Sequence, residues 1–230
     1  MTSRLEHLNA RYHAHNATRH EFVFGADERA SLIHSLVGGP GLRVLDLGCR
    51  TGALTQHYAG GNEVTGVDVD RDALRVAAER LDIETVWADA EDELPFVDGS
   101  FDVVVAGELL EHLADPAAAV AHVRRVLTPG GRFVGSVPNA FRLKNRIRFL
   151  AGRHPEKDAT HLQLFAPAAL ERLLGDFERV TIRFAVGHYV RWHPRLMANV
   201  QVFSALRPRE DRAAGGGHRA VGEPSRASLA

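Results

Sequence analysis

A chain of 230 residues with 45% hydrophobic content carries enough apolar material for one buried α/β sheet with modest additions. Its formal net charge of −1 leaves no global field to draw nucleic acid or an anionic membrane. A single cysteine, Cys49, excludes an intramolecular disulfide, and no run approaches the ~18 apolar residues of a membrane span, so a cytoplasmic protein is expected.

In chain order, residues 1–28 are polar and rich in histidine (His7, His13, His15, His20), with Tyr12, Phe22 and Phe24 among them. The histidines lack a ligand spacing and read as solvated. Arg43 to Leu47 reads as a buried strand that stops at a turn with Gly48 and Gly52, after which a helix is expected near Thr51, capped by its side chain. A second strand, Glu63 to Val69, ends in Asp68, 20 positions beyond Gly48. A carboxylate there is placed to accept from both ribose hydroxyls of an adenosine cofactor, so the pair forms a nucleoside-binding half-fold.

Arg71 to Leu81 reads as a helix, Glu84 to Phe96 as a third strand and its exit, and Phe101 to Leu113 as a fourth. Pro116 to Leu127 is a further helix, and the turn Pro129-Gly130-Gly131 leads into a fifth strand, RFVGSVPN. Residues 140–160 carry Arg142, Lys144, Arg146, Arg148 and Arg153, with Leu143, Ile147 and Leu150 at helical spacing: an amphipathic cap helix above the sheet edge. Its basic face serves either as an anion-binding substrate cap or simply as a solvated face. Two final strands, Arg179 to Val186 and Asn199 to Leu206, are joined by a link too short for a crossover helix and must pair antiparallel. Tyr189 and Trp192 in that link either stack on an aromatic acceptor or are buried. From residue 208 the chain is rich in Gly, Ala, Arg and Ser and reads as a disordered tail.

The turn Gly48-Cys49-Arg50-Thr51-Gly52 does not match the dinucleotide pattern G-x-G-x-x-G. It resembles motif I of Rossmann-like (class I) S-adenosylmethionine-dependent methyltransferases, (D/E)-x-G-x-G-x-G: Asp46, Gly48 and Gly52 fit, and Arg50 replaces the middle glycine. The resemblance covers roughly residues 40–207 and implies a domain over 29–207 behind an N-terminal lid over 1–28. It implies a seven-stranded sheet of order 3-2-1-4-5-7-6 with an antiparallel last strand and helices on both faces. The implied cofactor-binding set is Asp46, Gly48, Cys49, Gly52, Asp68, Val69, Asp89 (at the adenine amino group), Ala90 and Gly107. The turn needs the backbone of Arg50, so its side chain should point away from the cofactor.

Glu108, Glu111 and His112 form E-x-x-E-H at the carboxyl end of the fourth strand, where open α/β sheets bind their ligands. If Leu109 to Leu113 makes a helical turn, the three share one face and suit a divalent metal (Mg, Mn, Fe or Zn), and a resemblance to small-RNA 3′-terminal 2′-O-methyltransferases implies His161 as a distant fourth ligand. Alternatively Glu108 and His112 line the pocket without metal, His112 acting as general base or orienting group and Glu111 as a solvated residue. The acidic-histidine motif and the stretch from Thr160 resemble ubiquinone-pathway O-methyltransferases and small-RNA 3′-terminal 2′-O-methyltransferases, and Ser136 to Asn139 resembles methionine-biosynthesis W-like methyltransferases. The resemblance implies methylation of a small-molecule hydroxyl. An RNA acceptor is disfavoured by the near-zero charge, a non-catalytic regulatory module is a further alternative, and the oligomeric state is open.

Overall fold

The computed structural model describes residues 3–16, 26–155, 158 and 160–209. The expected tail from Glu210 onward, and the stretch with His20, Phe22 and Phe24, lie outside the described residues. The elements run α1 (Arg4–Asn16), α2 (Ala26–Val37), β1 (Arg43–Leu47), α3 (Gln56–Ala59), β2 (Glu63–Asp68), α4 (Arg71–Leu81), β3 (Glu84–Trp87) and β4 (Phe101–Gly107). A 3-10 turn at Leu110–His112 follows, then α5 (Pro116–Val126), β5 (Leu127–Pro138), α6 (Leu143–Leu150), α7 (Pro167–Leu173), β6 (Glu178–Ala185), α8 (Pro194–Met197) and β7 (Val200–Leu206).

The seven strands form one sheet of order β3-β2-β1-β4-β5-β7-β6. β1 to β5 are parallel, whereas β7 runs antiparallel to both β5 and β6. Central strands covered on both faces read as continuous apolar runs, as Val103 to Ala106 do. Ile33, Val37, Val105 and Val134 pack on one face. Val120, Val123, Leu170, Leu174, Phe133 and Phe203 pack on the other. Phe133 and Phe203 meet edge to face with ring centroids 5.0 Å apart, and each contributes about 1.5–3 kcal/mol by burial.

Helix starts are written into the sequence. Asp70 caps α4 by accepting from the amides of Asp72 and Ala73, and Asp115 caps α5 ahead of Pro116 in the same way. Two boundaries differ from expectation. No helix begins at Thr51: residues 51–55 form turns, and α3 starts only at Gln56. The Thr55 hydroxyl at its start is committed to Asp46 at 2.6 Å and caps nothing. β5 begins at Leu127, before Pro129-Gly130-Gly131, with an irregularity in its pairing to β4 between Phe101 and Val103. No described helix is long and apolar enough to cross a membrane.

Candidate active site

A cavity of about 480 Å³ opens at the carboxyl ends of β1, β2 and β4. Parallel strands aim their last residues there, and the chain turns away at each end, so side chains from distant segments converge.

One end is built by β1 and β2. Asp46 is fully buried and accepts from the hydroxyls of Thr55 (2.6 Å) and Tyr58 (2.7 Å). Burial pushes its carboxyl up to about 6, against the pull of those two hydroxyls. Asp46 therefore braces the turn from below as well as touching the cavity. Gly48 lies at φ +73°, and a Cβ there would come within 3.1 Å of Leu109. Arg50 adopts φ +50°, the left-handed region that glycine occupies without strain. Its amide donates to Asp68 at 2.9 Å. Arg50 lines the cavity, and its side-chain Nε is buried.

Asp68 is buried, accepts from the amides of Arg50 and Asp70 at 2.9 Å each, and has its carboxyl raised chiefly by burial. Cys49, Val69, Ala90 and Gly107 also line the cavity. Asp89 lines it too; burial raises its carboxyl, while the amide of Glu91 (3.0 Å) and the guanidinium of Arg4 (3.0 Å) engage its oxygens. Gly52 lies between two lining residues, Thr51 and Ala53, at φ +74°, and a Cβ there would lie 2.5 Å from Leu81 of α4, so close helix packing also calls for this glycine. α1 lies across the same end, with Leu8, Tyr12 and His15 in the wall. Two of its histidines are paired: His13 with Asp70 (3.3 Å) and His15 with Asp158 (3.4 Å).

The other end separates the E-x-x-E-H residues. Glu108 stands at φ +56° just after β4, before the 3-10 turn begins, so it does not share the face of Glu111 and His112. Its carboxylate instead faces Arg29 of α2 at 3.4 Å. Glu111, His112 and His161 do converge, with ligand atoms all within 4.8 Å of one another. The four-ligand set is thus corrected to three, without Glu108. Nδ1 of His112 donates to the Thr160 carbonyl (3.2 Å), which leaves Nε2 with its lone pair. Burial and the neighbouring His161 lower the His112 pKa to about 4, so the ring is neutral at physiological pH. Amides of Leu162 (2.7 Å) and Gln163 (3.0 Å) donate to the Glu111 carbonyl, tying the His161 loop to the turn.

Arg29 was not signalled by the sequence. It is 5% exposed and lines the cavity, and among the described residues its Nε and Nη1 make no hydrogen bond. Beside Asp27 and Glu28 in an N-terminal helix, it reads as one more surface charge.

Residues 45–135 match the model of a family described as a methyltransferase domain. A ubiquinone biosynthesis O-methyltransferase of Thiobacillus denitrificans is 42% identical over 97 residues, 40% of this chain and 42% of that protein. Its namesake from Aeromonas salmonicida is 30% identical over 161 residues, 65% of this chain and 67% of that protein. The chain spans about half the length or less of several curated relatives that it matches. A solved S-adenosylmethionine-dependent methyltransferase from Archaeoglobus fulgidus shares the fold, with a TM-score of 0.59 at 21% identity over 77% of this chain and 94% of that one. The reversed β7, the turn from Asp46 to Gly52 and these likenesses agree, and the chain belongs to the class I S-adenosylmethionine-dependent methyltransferases.

Proposed function

We propose that the chain transfers a methyl group from S-adenosylmethionine to the hydroxyl of a small molecule. The observation that carries this reading is one continuous cavity with ribose-type carboxylates at one end and a neutral, tautomer-fixed histidine at the other. When bound, the cofactor supplies an electrophilic methyl on sulfur. The residues present fit it. Each Asp68 oxygen already holds one backbone amide and retains a lone pair for a ribose hydroxyl. Asp89 and Ala90 would flank the adenine. Arg29 and Glu108 set opposite charges side by side, suited to the carboxylate and ammonium of an amino-acid zwitterion.

Displacement at a methyl group asks mainly for alignment, and holding two reactants in line supplies about 7–11 kcal/mol of the barrier. The acceptor must also lose a proton, and Nε2 of His112 is placed to take it. A base with a pKa of about 4 is weak, so it suits an acidic hydroxyl such as a phenol better than an alkyl alcohol. The names of the ubiquinone-pathway relatives support an oxygen acceptor of that kind.

A second reading is favoured by the Glu111, His112 and His161 cluster. One carboxylate and two imidazoles suit a divalent ion, for which the Nδ1 bond of His112 would orient Nε2. Such an ion would supply Lewis acidity to the acceptor oxygen. A screen of phenolic and aliphatic alcohols with labelled cofactor, with and without chelator, tests both. Labelling of a phenol that persists in chelator supports the metal-free base, whereas loss on chelation and recovery with added ion supports the metal. Binding of a nicotinamide dinucleotide in preference to S-adenosylhomocysteine would overturn both.

A further inference from the structure

The ring of His112 is held at Nδ1 by a carbonyl, and that carbonyl belongs to a turn with a carboxylate of its own. Nδ1 donates to the Thr160 carbonyl at 3.2 Å. Thr160 is buried, and its amide (2.9 Å) and hydroxyl (2.6 Å) both donate to Oδ1 of Asp158. An aspartate that binds the backbone two residues on closes a tight turn and fixes the direction of the peptide groups within it. Which nitrogen of His112 carries the proton, and where the ring points, is therefore set two hydrogen bonds away.

The second oxygen of Asp158 leads to another part of the chain. Oδ2 lies 3.4 Å from Nε2 of His15, a residue of α1. Three positions earlier, on the same face of that helix, Tyr12 meets the base directly. Its hydroxyl donates to the His112 carbonyl at 3.4 Å, and the two rings stand edge to face with centroids 5.9 Å apart. The same helix reaches the opposite end of the cavity, through Arg4 on Asp89 and His13 on Asp70. The His15 pair is the more sheltered contact. Its histidine is 25% exposed, against 56% for Arg4 and 51% for His13, so salt screens it less.

We infer that Asp158 is a positioning residue that couples α1 to His112: one oxygen sets the Thr160 turn that orients the ring, and the other is clasped by His15. The helix that covers the end with Asp68 and Asp89 thereby also aligns the base at the far end. The link carries geometry and no proton, because its middle member is a backbone carbonyl. Displacing α1 would leave His112 in place but release the tautomer and the angle that make Nε2 a proton acceptor. The inference rests on the reading of His112 as the base, and its test separates the two.

The test pairs steady-state kinetics, with catechol as the acceptor probe, with long-range proton–nitrogen NMR of the histidine rings. The spectra are recorded on the full chain with S-adenosylhomocysteine added, and the parent is expected to show His112 protonated at Nδ1. Asp158→Ala should lower kcat at least about tenfold with donor KM within about threefold, and its His112 should populate both tautomers. Asp158→Asn keeps an oxygen for the amide and hydroxyl of Thr160, so kcat should return to within about threefold of the parent. His15→Ala should lower kcat about three- to fivefold, and adding it to Asp158→Ala should cost nothing further, since both act through one turn. A kcat for Asp158→Ala within about twofold of the parent, with the tautomer unchanged, overturns the inference. So does a loss that Asp158→Asn leaves in place, which would assign the effect to charge, and so do losses that multiply in the double variant. His112→Ala turning over as the parent does would fault the base and not Asp158, whose hold on the ring the spectra decide without turnover.

Discussion

Arg50 holds a left-handed backbone that costs a residue with a Cβ about 1–2 kcal/mol. Glycine would remove that cost while preserving the amide that donates to Asp68. Arg50→Gly is therefore expected to melt at the same temperature or slightly higher, with S-adenosylhomocysteine affinity by calorimetry within about threefold of the parent. A loss beyond about tenfold would make the side chain a direct ligand. Arg29 predicts the opposite. Replacing a buried guanidinium that meets the ligand's carboxylate should cost about 1.5–3 kcal/mol, so Arg29→Leu should weaken S-adenosylhomocysteine at least about tenfold. An unchanged dissociation constant would remove Arg29 from the site. Asp46 tests burial. Its folded pKa of about 6 exceeds the ordinary 3.8, so the stability linked to its proton is complete below about pH 4 and is lost as pH rises through about 6. Asp46→Asn keeps one oxygen able to accept from both Thr55 and Tyr58. The variant should gain up to about 3 kcal/mol over the parent at pH 7.5, and thermal melts should show the gain shrinking towards pH 4. A variant less stable than the parent at pH 7.5 would contradict this.

Among the elements, the 3-10 turn at Leu110–His112 decides how the acidic-histidine motif works. Because Glu108 precedes the turn, it should behave unlike the rest of its motif. His112→Ala is expected to lower kcat about 100-fold or more with donor KM little changed, whereas Glu108→Ala should chiefly raise donor KM. Equal effects on both parameters in both variants would restore the shared role expected from spacing. The sheet order and the reversed hairpin were legible in the sequence because strand runs, turn residues and a short last connection leave one arrangement. Asp68 and Asp89 were legible because they sit at a strand end or just beyond one, and Glu111 and His112 because they follow β4, whereas His161, in the loop before α7, came only from the family resemblance. The packing role of Gly52 was not legible because a glycine in the turn can serve a ligand, a packed helix or both, and only the nearness of Leu81 reveals the helix. Arg29 was hidden because nothing in α2 shows that it meets Glu108 beyond β4. The outward stripe of α6, with Ile147 and Leu150 exposed, was hidden too, since periodicity reveals two faces and is silent on which one meets the core. Trp192 is exposed, contrary to the expectation of a buried or stacked aromatic.

At the scale of the molecule, α1 is joined to the rest largely through polar contacts, several of them ion pairs. Arg4 pairs with Asp89, Glu91 and Asp92, Glu6 with Arg71 (3.2 Å), and His13 with Asp70, the α1 side chain being exposed in every pair. Its apolar contribution at the cavity comes from Leu8 and Tyr12. Contacts of that kind are screened once the Debye length falls from about 8 Å at physiological salt to about 3 Å at 1 M. The sheet, held by apolar burial, is not weakened in the same way. Ionic strength therefore acts on the two parts separately, and it sets a clock. The dissociation rate of S-adenosylhomocysteine, read by stopped-flow chase, should rise several-fold between low and high salt while the melting temperature of the sheet holds. If product release limits turnover, the enzyme would run faster in brine than in dilute buffer until binding of the donor begins to fail.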